Sequence, residues 1–116
     1  MKRQKGLSTL IDLLQILRGI DTEFPLQYAL CMGEIARNQG ISITELAEKT
    51  GITLSTVSRI VGALSGGRGR CNGLVRVRFS ATENRRKELF LSPRGAALIA
   101  HLVTEIEQTP QTRQTA

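Results

Sequence analysis

From Leu7 onward, apolar residues recur at helical spacing in two adjacent rows, Leu7, Leu10, Leu14 and Leu17 beside Leu13, Ile16 and Ile20. A helix wetted on one side needs only one row. The double row predicts a helix that packs on its own domain and on a second surface as well. Phe24-Pro25 then opens a second helix, with Leu26, Ala29, Leu30, Ile35 and Ala36 on it and Gly40 as its stop. Ser42-Ile43-Thr44-Glu45 has the form of a capping box, so a short helix is expected over Ile43 to Thr50. Gly51 permits a tight turn, and Thr53 can cap a further helix from Leu54 to about Leu64, with Val57, Ile60, Val61 and Leu64 on its buried face.

The segment Ser65 to Gly73 is too glycine-rich for regular structure and is expected to be a loop. Leu74 to Phe79 alternates apolar and charged residues with the period of a half-buried strand, and Lys87 to Leu91 is its expected partner across a polar tip. Ser92-Pro93 caps a last helix whose stripe is Ile99, Leu102, Val103 and Ile106. Residues 109–116 have nothing to bury and read as a disordered tail. The fold class expected is mainly α with a small β-hairpin, about five helices plus a two-stranded wing. It forms one domain over residues 1–108, with a helix-turn-helix at about 43–64 and the wing at about 73–91.

Composition narrows the function. With 116 residues and 41% hydrophobic positions the chain can bury a core, yet it has three Phe, one Tyr and no Trp. The core must be aliphatic, and stacking of aromatic side chains on bases is not the expected mode of binding. The net charge is +6. Between residues 68 and 87 stand Arg68, Arg70, Arg76, Arg78, Arg85, Arg86 and Lys87 against Glu83 alone, so this one segment carries the whole surplus and the rest of the chain is balanced. Charge gathered in this way points to a polyanionic partner.

Two helices joined at a glycine over Ile43 to Gly62 form a helix-turn-helix pattern: Ala47 is small where the helices cross, Gly51 supplies the turn, and Leu46, Ile52, Val57 and Ile60 share a core. The exposed face of the second helix carries Ser55, Thr56, Ser58 and Arg59, short hydroxyls and one guanidinium suited to the major groove. Arg59 is the candidate for reading guanine, with a phosphate contact as its alternative. Thr53 is included among the DNA-binding candidates, although capping is its simpler role. Arg68 and Arg70 in the loop are the candidate phosphate contacts, and Arg85, Arg86 and Lys87 on the wing are further DNA-binding candidates. Leu10, Leu13, Leu14 and Leu17 with Ile99, Leu102, Val103 and Ile106 are the candidate dimer interface.

The stretches ITELAEKTGITLSTVSRIVGAL, GLVRVRF and ENRRKELFLSPRGAAL resemble the MarR family of transcriptional regulators. In that family an acidic residue, a spacer and an arginine near the wing tip are followed by Leu, Thr or Ser, and Gly; Glu83, Arg85, Leu91, Ser92 and Gly95 match. Glu83 stands where the family usually has Asp, and Ser65 to Asn72 is longer and more basic than usual. The resemblance implies a winged-helix homodimer that binds double-stranded DNA as a transcriptional regulator, by default a repressor. It implies a recognition helix in the major groove and Arg85, with Arg86, at the minor groove. A small-molecule effector is conceivable but not indicated, and the short terminal helices leave little room for a large pocket.

Other classes fit less well. The single histidine, His101, lies between apolar neighbours, and no paired carboxylates, P-loop or nucleophile with a base is present, so an enzyme is not expected. Cys31 and Cys71 have neither metal-ligand spacing nor a neighbouring histidine; no metal site or cofactor is expected. Cys71, beside arginines and in an open loop, is the better candidate for a redox-sensing thiol, and Cys31 reads as inert and buried. The N-terminal Lys2-Arg3-Gln4-Lys5 precedes an apolar run broken by Asp12, Gln15 and Arg18, unlike a secretion signal, and a cytoplasmic location without membrane contact is expected. An accessory or replication-initiation winged-helix protein remains an alternative.

Overall fold

A computed structural model describes residues 2–66, 69, 71–82 and 86–108. Its elements run α1 (Lys2–Ile20), α2 (Leu26–Arg37), β1 (Ile41–Ser42), α3 (Ile43–Thr50), α4 (Leu54–Gly66), β2 (Val75–Phe79), β3 (Lys87–Leu91) and α5 (Pro93–Glu107). The core is aliphatic, as the composition requires: Met32, Ile35, Leu46, Val57, Leu64, Leu74, Val75 and Leu89 are fully enclosed, with Cys31 among them. These side chains come from α2, α3, α4 and the sheet, so the helix-turn-helix and the wing share one core.

Several boundaries differ from the expectations. α1 starts at Lys2, five residues before the first leucine of the stripe, because polar residues continue a helix once its apolar face is docked. Pro25 is the cap of α2 rather than its first residue, and its carbonyl accepts from the amides of Tyr28 and Ala29. Phe24, just before it, meets Tyr28 edge to face, with ring centroids 6.3 Å apart and planes at 80°. α4 runs on to Gly66, so Ser65, expected in the loop, is helical; its hydroxyl donates to the Val61 carbonyl at 2.7 Å.

The sheet has three antiparallel strands in the order β1-β3-β2. Sequence periodicity gives the hairpin, with Val75 opposite Leu91 and Phe79 opposite Lys87. The third strand, Ile41-Ser42, pairs with Leu89 and Glu88. Two residues cannot display alternation, and the strand forms only because the wing supplies its partner. Gly40, with φ +96°, turns the chain into it, and its amide donates to the Leu89 carbonyl at 2.8 Å.

Helix α5 is keyed to the root of the wing. The Ser92 hydroxyl accepts from the Gly95 amide at 3.0 Å and donates to the Gly73 carbonyl at 2.5 Å, while the Ser92 amide donates to the Leu74 carbonyl at 3.1 Å. Gly95 lies so close to that strand that a Cβ there would stand 2.0 Å from the Leu74 carbonyl oxygen. Only glycine permits this approach. α5 then passes along α1, and its buried positions are Gly95 and Leu98.

Cys71 departs from the expectation of an open thiol. It is buried at the turn before Gly73, and burial, with a further push from Asp21, raises its thiol pKa against the smaller opposing pull of Arg94. Cys31 is fully enclosed, and burial lifts its pKa from 9.0 to about 11. Neither thiol has the lowered pKa of a reactive cysteine. Among the described residues no helix is long and apolar enough to cross a membrane.

Candidate nucleic-acid interface

The helix-turn-helix is assembled from backbone caps. At the start of α3 the Ser42 hydroxyl accepts from the Glu45 amide at 3.1 Å and the Glu45 carboxylate accepts from the Ser42 amide at 3.0 Å, a complete capping box. Ile41 and Leu46, on either side of the box, are both buried, which fixes the angle at which the chain enters. α3 ends at Gly51, whose φ of +76° is the left-handed conformation that glycine adopts without strain. The Thr50 hydroxyl donates to the Leu46 carbonyl at 2.8 Å and accepts from the Ile52 amide at 3.3 Å, tying the end of α3 to the turn.

Thr53 caps α4: its hydroxyl accepts from the Thr56 amide at 3.4 Å and donates to the Thr56 hydroxyl at 2.9 Å. Thr56 is thereby committed to the cap and half-buried, whereas Ser55, Ser58 and Arg59 are exposed on the outer face of α4. Val57, Ile60, Val61 and Leu64 hold the opposite face in the core. Leu54, in the first turn, is also exposed, at 53%; the sequence marked it only as the start of the helix and assigned it to neither face.

On the wing, alternation along β2 leaves Arg76 and Arg78 exposed, and the Arg78 guanidinium lies 4.5 Å from the Phe90 ring centroid. The Ser80 amide donates to the Arg86 carbonyl at 2.7 Å and closes the hairpin, and Lys87 is exposed at the start of β3. Arg86 does not extend from the tip: its Nη2 is 2.9 Å from Glu45 Oε1 on α3. The Glu45 carboxyl is held below its usual pKa, first by the hydrogen bonds of the capping box and then by the charges of Arg86 and Lys49. Arg68, Arg70, Glu83 and Arg85 lie outside the described residues.

The apolar stripe of the terminal helices divides in two. Leu10 and Leu14 on α1 and Val103 and Ile106 on α5 are 41–56% exposed, and so are Leu7 and Ile11. Ile11 had not been placed in either row. Leu17, Ile99 and Leu102 pack against the domain's own core, and Leu13 is half-buried. Three of the eight expected dimer residues therefore pack inward, four are exposed on α1 and α5, and Leu13 lies between.

A family model described as winged helix-turn-helix DNA-binding matches residues 32–65, from the middle of α2 to the end of α4. No match is found among curated proteins. Among solved structures, a mutant of MepR from S. aureus bound to an oligodeoxyribonucleotide aligns with a TM-score of 0.74 at 20% identity, over 95% of this chain and 76% of that one. CouR, a transcriptional repressor bound to a 23-mer DNA duplex, aligns at 0.64 and 23% identity, over 97% and 75%. The PcaV transcriptional regulator from Streptomyces coelicolor, in complex with its natural ligand, aligns at 0.63 and 21%, over 95% and 72%. At these identities the likeness is one of fold.

Proposed function

The chain has a MarR-like winged helix-turn-helix fold, and on that premise we propose that it is a sequence-specific regulator of transcription that binds double-stranded DNA as a homodimer. The observation that carries this reading is the pairing of two exposed surfaces, the Ser55, Ser58 and Arg59 face of α4 and the arginine row Arg76 and Arg78 of the wing, in a chain whose entire positive surplus lies at the wing and the loop before it. In the proposed complex the first turns of α4 enter the major groove, with Arg59 at a guanine edge. Thr53 and Thr56 hold the helix start, whose free amides favour a nearby phosphate. Arg85 reaches the flanking minor groove, and Arg68, Arg70 and Lys87 neutralise backbone charge.

The dimer is supported by the outward half of the apolar stripe. Leu10, Leu14, Val103 and Ile106, with Leu7 and Ile11, are exposed apolar side chains on two helices that pack together, and apolar surface of this kind favours a second partner. A two-fold axis there would set two copies of α4 side by side and match an inverted repeat. A small dimer of this kind can repress by covering a promoter.

Selection of bound fragments from random duplex DNA at physiological salt tests the reading. Enrichment of a palindrome with half-sites about 10 base pairs apart is the expected result. Salt-sensitive binding without an enriched sequence would replace regulation by an accessory role, and absence of binding to any duplex would end the DNA-binding reading.

A further inference from the structure

Arg86 and Glu45 are 41 residues apart in sequence, yet they meet where the wing joins the helix-turn-helix. The same carboxylate oxygen, Oε1 of Glu45, accepts from the Ser42 amide at 3.0 Å and from Arg86 Nη2 at 2.9 Å. Ser42 is at once the cap of α3 and a residue of β1, where it pairs with Glu88 of the wing strand. One oxygen thus touches the start of α3, the short strand and the wing. The pairing of β1 with β3 covers Leu89 and Glu88, so among the described residues the hairpin beyond Glu88 has no third strand beside it. Arg86 lies just past the end of that pairing, on the side of the tip. At the other end, Gln39 Oε1 accepts from the Leu91 amide at 3.0 Å, so a side chain brackets the two-residue strand on each side.

We propose that Glu45 and Arg86 are positioning residues for DNA binding: their pair sets the angle of the wing relative to α4, and Arg86 acts on DNA through Glu45 rather than by touching a phosphate. The proposal rests on the DNA-binding reading above. It has a distinctive sign. A carboxylate on a DNA-facing surface repels phosphates, so on charge alone its neutralisation tightens binding. As a positioning group, its removal loosens the wing and weakens binding. Both side chains are partly exposed, at 36% for Arg86 and 49% for Glu45. An exposed pair of this kind contributes little to global stability, which separates its geometric role from a role in folding.

The test uses the full chain with Glu45→Gln, Arg86→Gln and the double variant. Glutamine retains an oxygen for the Ser42 amide and so preserves the capping box. Affinity is measured on the duplex enriched in the selection, or on the random pool at low salt, alongside thermal midpoints and hydroxyl-radical footprints. Glu45→Gln is expected to weaken binding about threefold to tenfold, with the thermal midpoint nearly unchanged and the flanking minor-groove protection lost. The double variant should bind no worse than Arg86→Gln alone. Unchanged or tighter binding by Glu45→Gln, or losses that multiply in the double variant, would overturn the proposal. If the unaltered chain binds no duplex, the DNA-binding reading falls first and the proposal falls with it.

Discussion

The helix-turn-helix and the terminal helices are built from the same aliphatic residues, but the first leaves one large apolar side chain exposed, Leu54, and the second leaves six. Leu46, Val57 and Leu64 are fully enclosed, while Leu10, Ile11 and Leu14 of α1 are each at least half exposed. Caps do not follow this division: α3 has a full capping box and a left-handed glycine end, α5 is capped by Ser92, and α1 and α4 both lack an acidic residue in the first turn. The lesson is that the same aliphatic residues are enclosed within one chain in the helix-turn-helix and left largely uncovered along the terminal pair.

Truncation in the two regions should expose this contrast most strongly. Leu46→Ala removes a fully buried side chain and is expected to lower the unfolding free energy by about 2–5 kcal/mol in denaturant titration. Leu14→Ala should change the protomer by no more than about 0.5 kcal/mol at high dilution, yet make the thermal midpoint fall more steeply as the protein is diluted. Equal losses for both variants would erase the distinction.

The junction of the two regions gives a smaller effect. Ser92→Ala removes the cap of α5 together with the donor to the Gly73 carbonyl, at a cost of about 1–3 kcal/mol by the same titration. The smallest effect is silent at neutral pH. Because burial raises Cys31 to about 11 from 9.0, the unfolded chain ionises first as pH climbs. The stabilisation is therefore full below pH 9.0 and declines towards about 11, and the decline should be flatter in Cys31→Ala. Both thiols should also resist alkylation at pH 8 in the folded protein and react in denaturant, a comparison that checks the burial of Cys71.

Much of this was legible because local rules dominate where caps and turns are made. Ser42 and Glu45 are three residues apart, and Gly51 and the Ser92-Pro93 pair act on their immediate neighbours, so their spacing alone places α3, the turn and the start of α5. β3 was legible at both ends as the partner of the alternating stretch that forms β2. What escaped depended on partners far along the chain. Ile41-Ser42 becomes a strand through Leu89 and Glu88, Arg86 finds Glu45 across 41 residues, and Cys71 is enclosed although its glycine-rich neighbours suggested an open loop. The split of the terminal stripe was half legible: a double row predicts two contacts, but periodicity does not say which row turns inward.

The Phe24–Tyr28 contact gives the protein a built-in optical probe. With one tyrosine and no tryptophan, emission excited beyond the phenylalanine band arises from the ring of Tyr28, in the first turn of α2 and against Phe24 of the link from α1. Fluorescence therefore reports a single address in the fold, without a label. Any rearrangement that tilts the terminal helix away from the DNA-facing unit would alter the quantum yield of this one chromophore, while events confined to the wing would leave it dark to the detector.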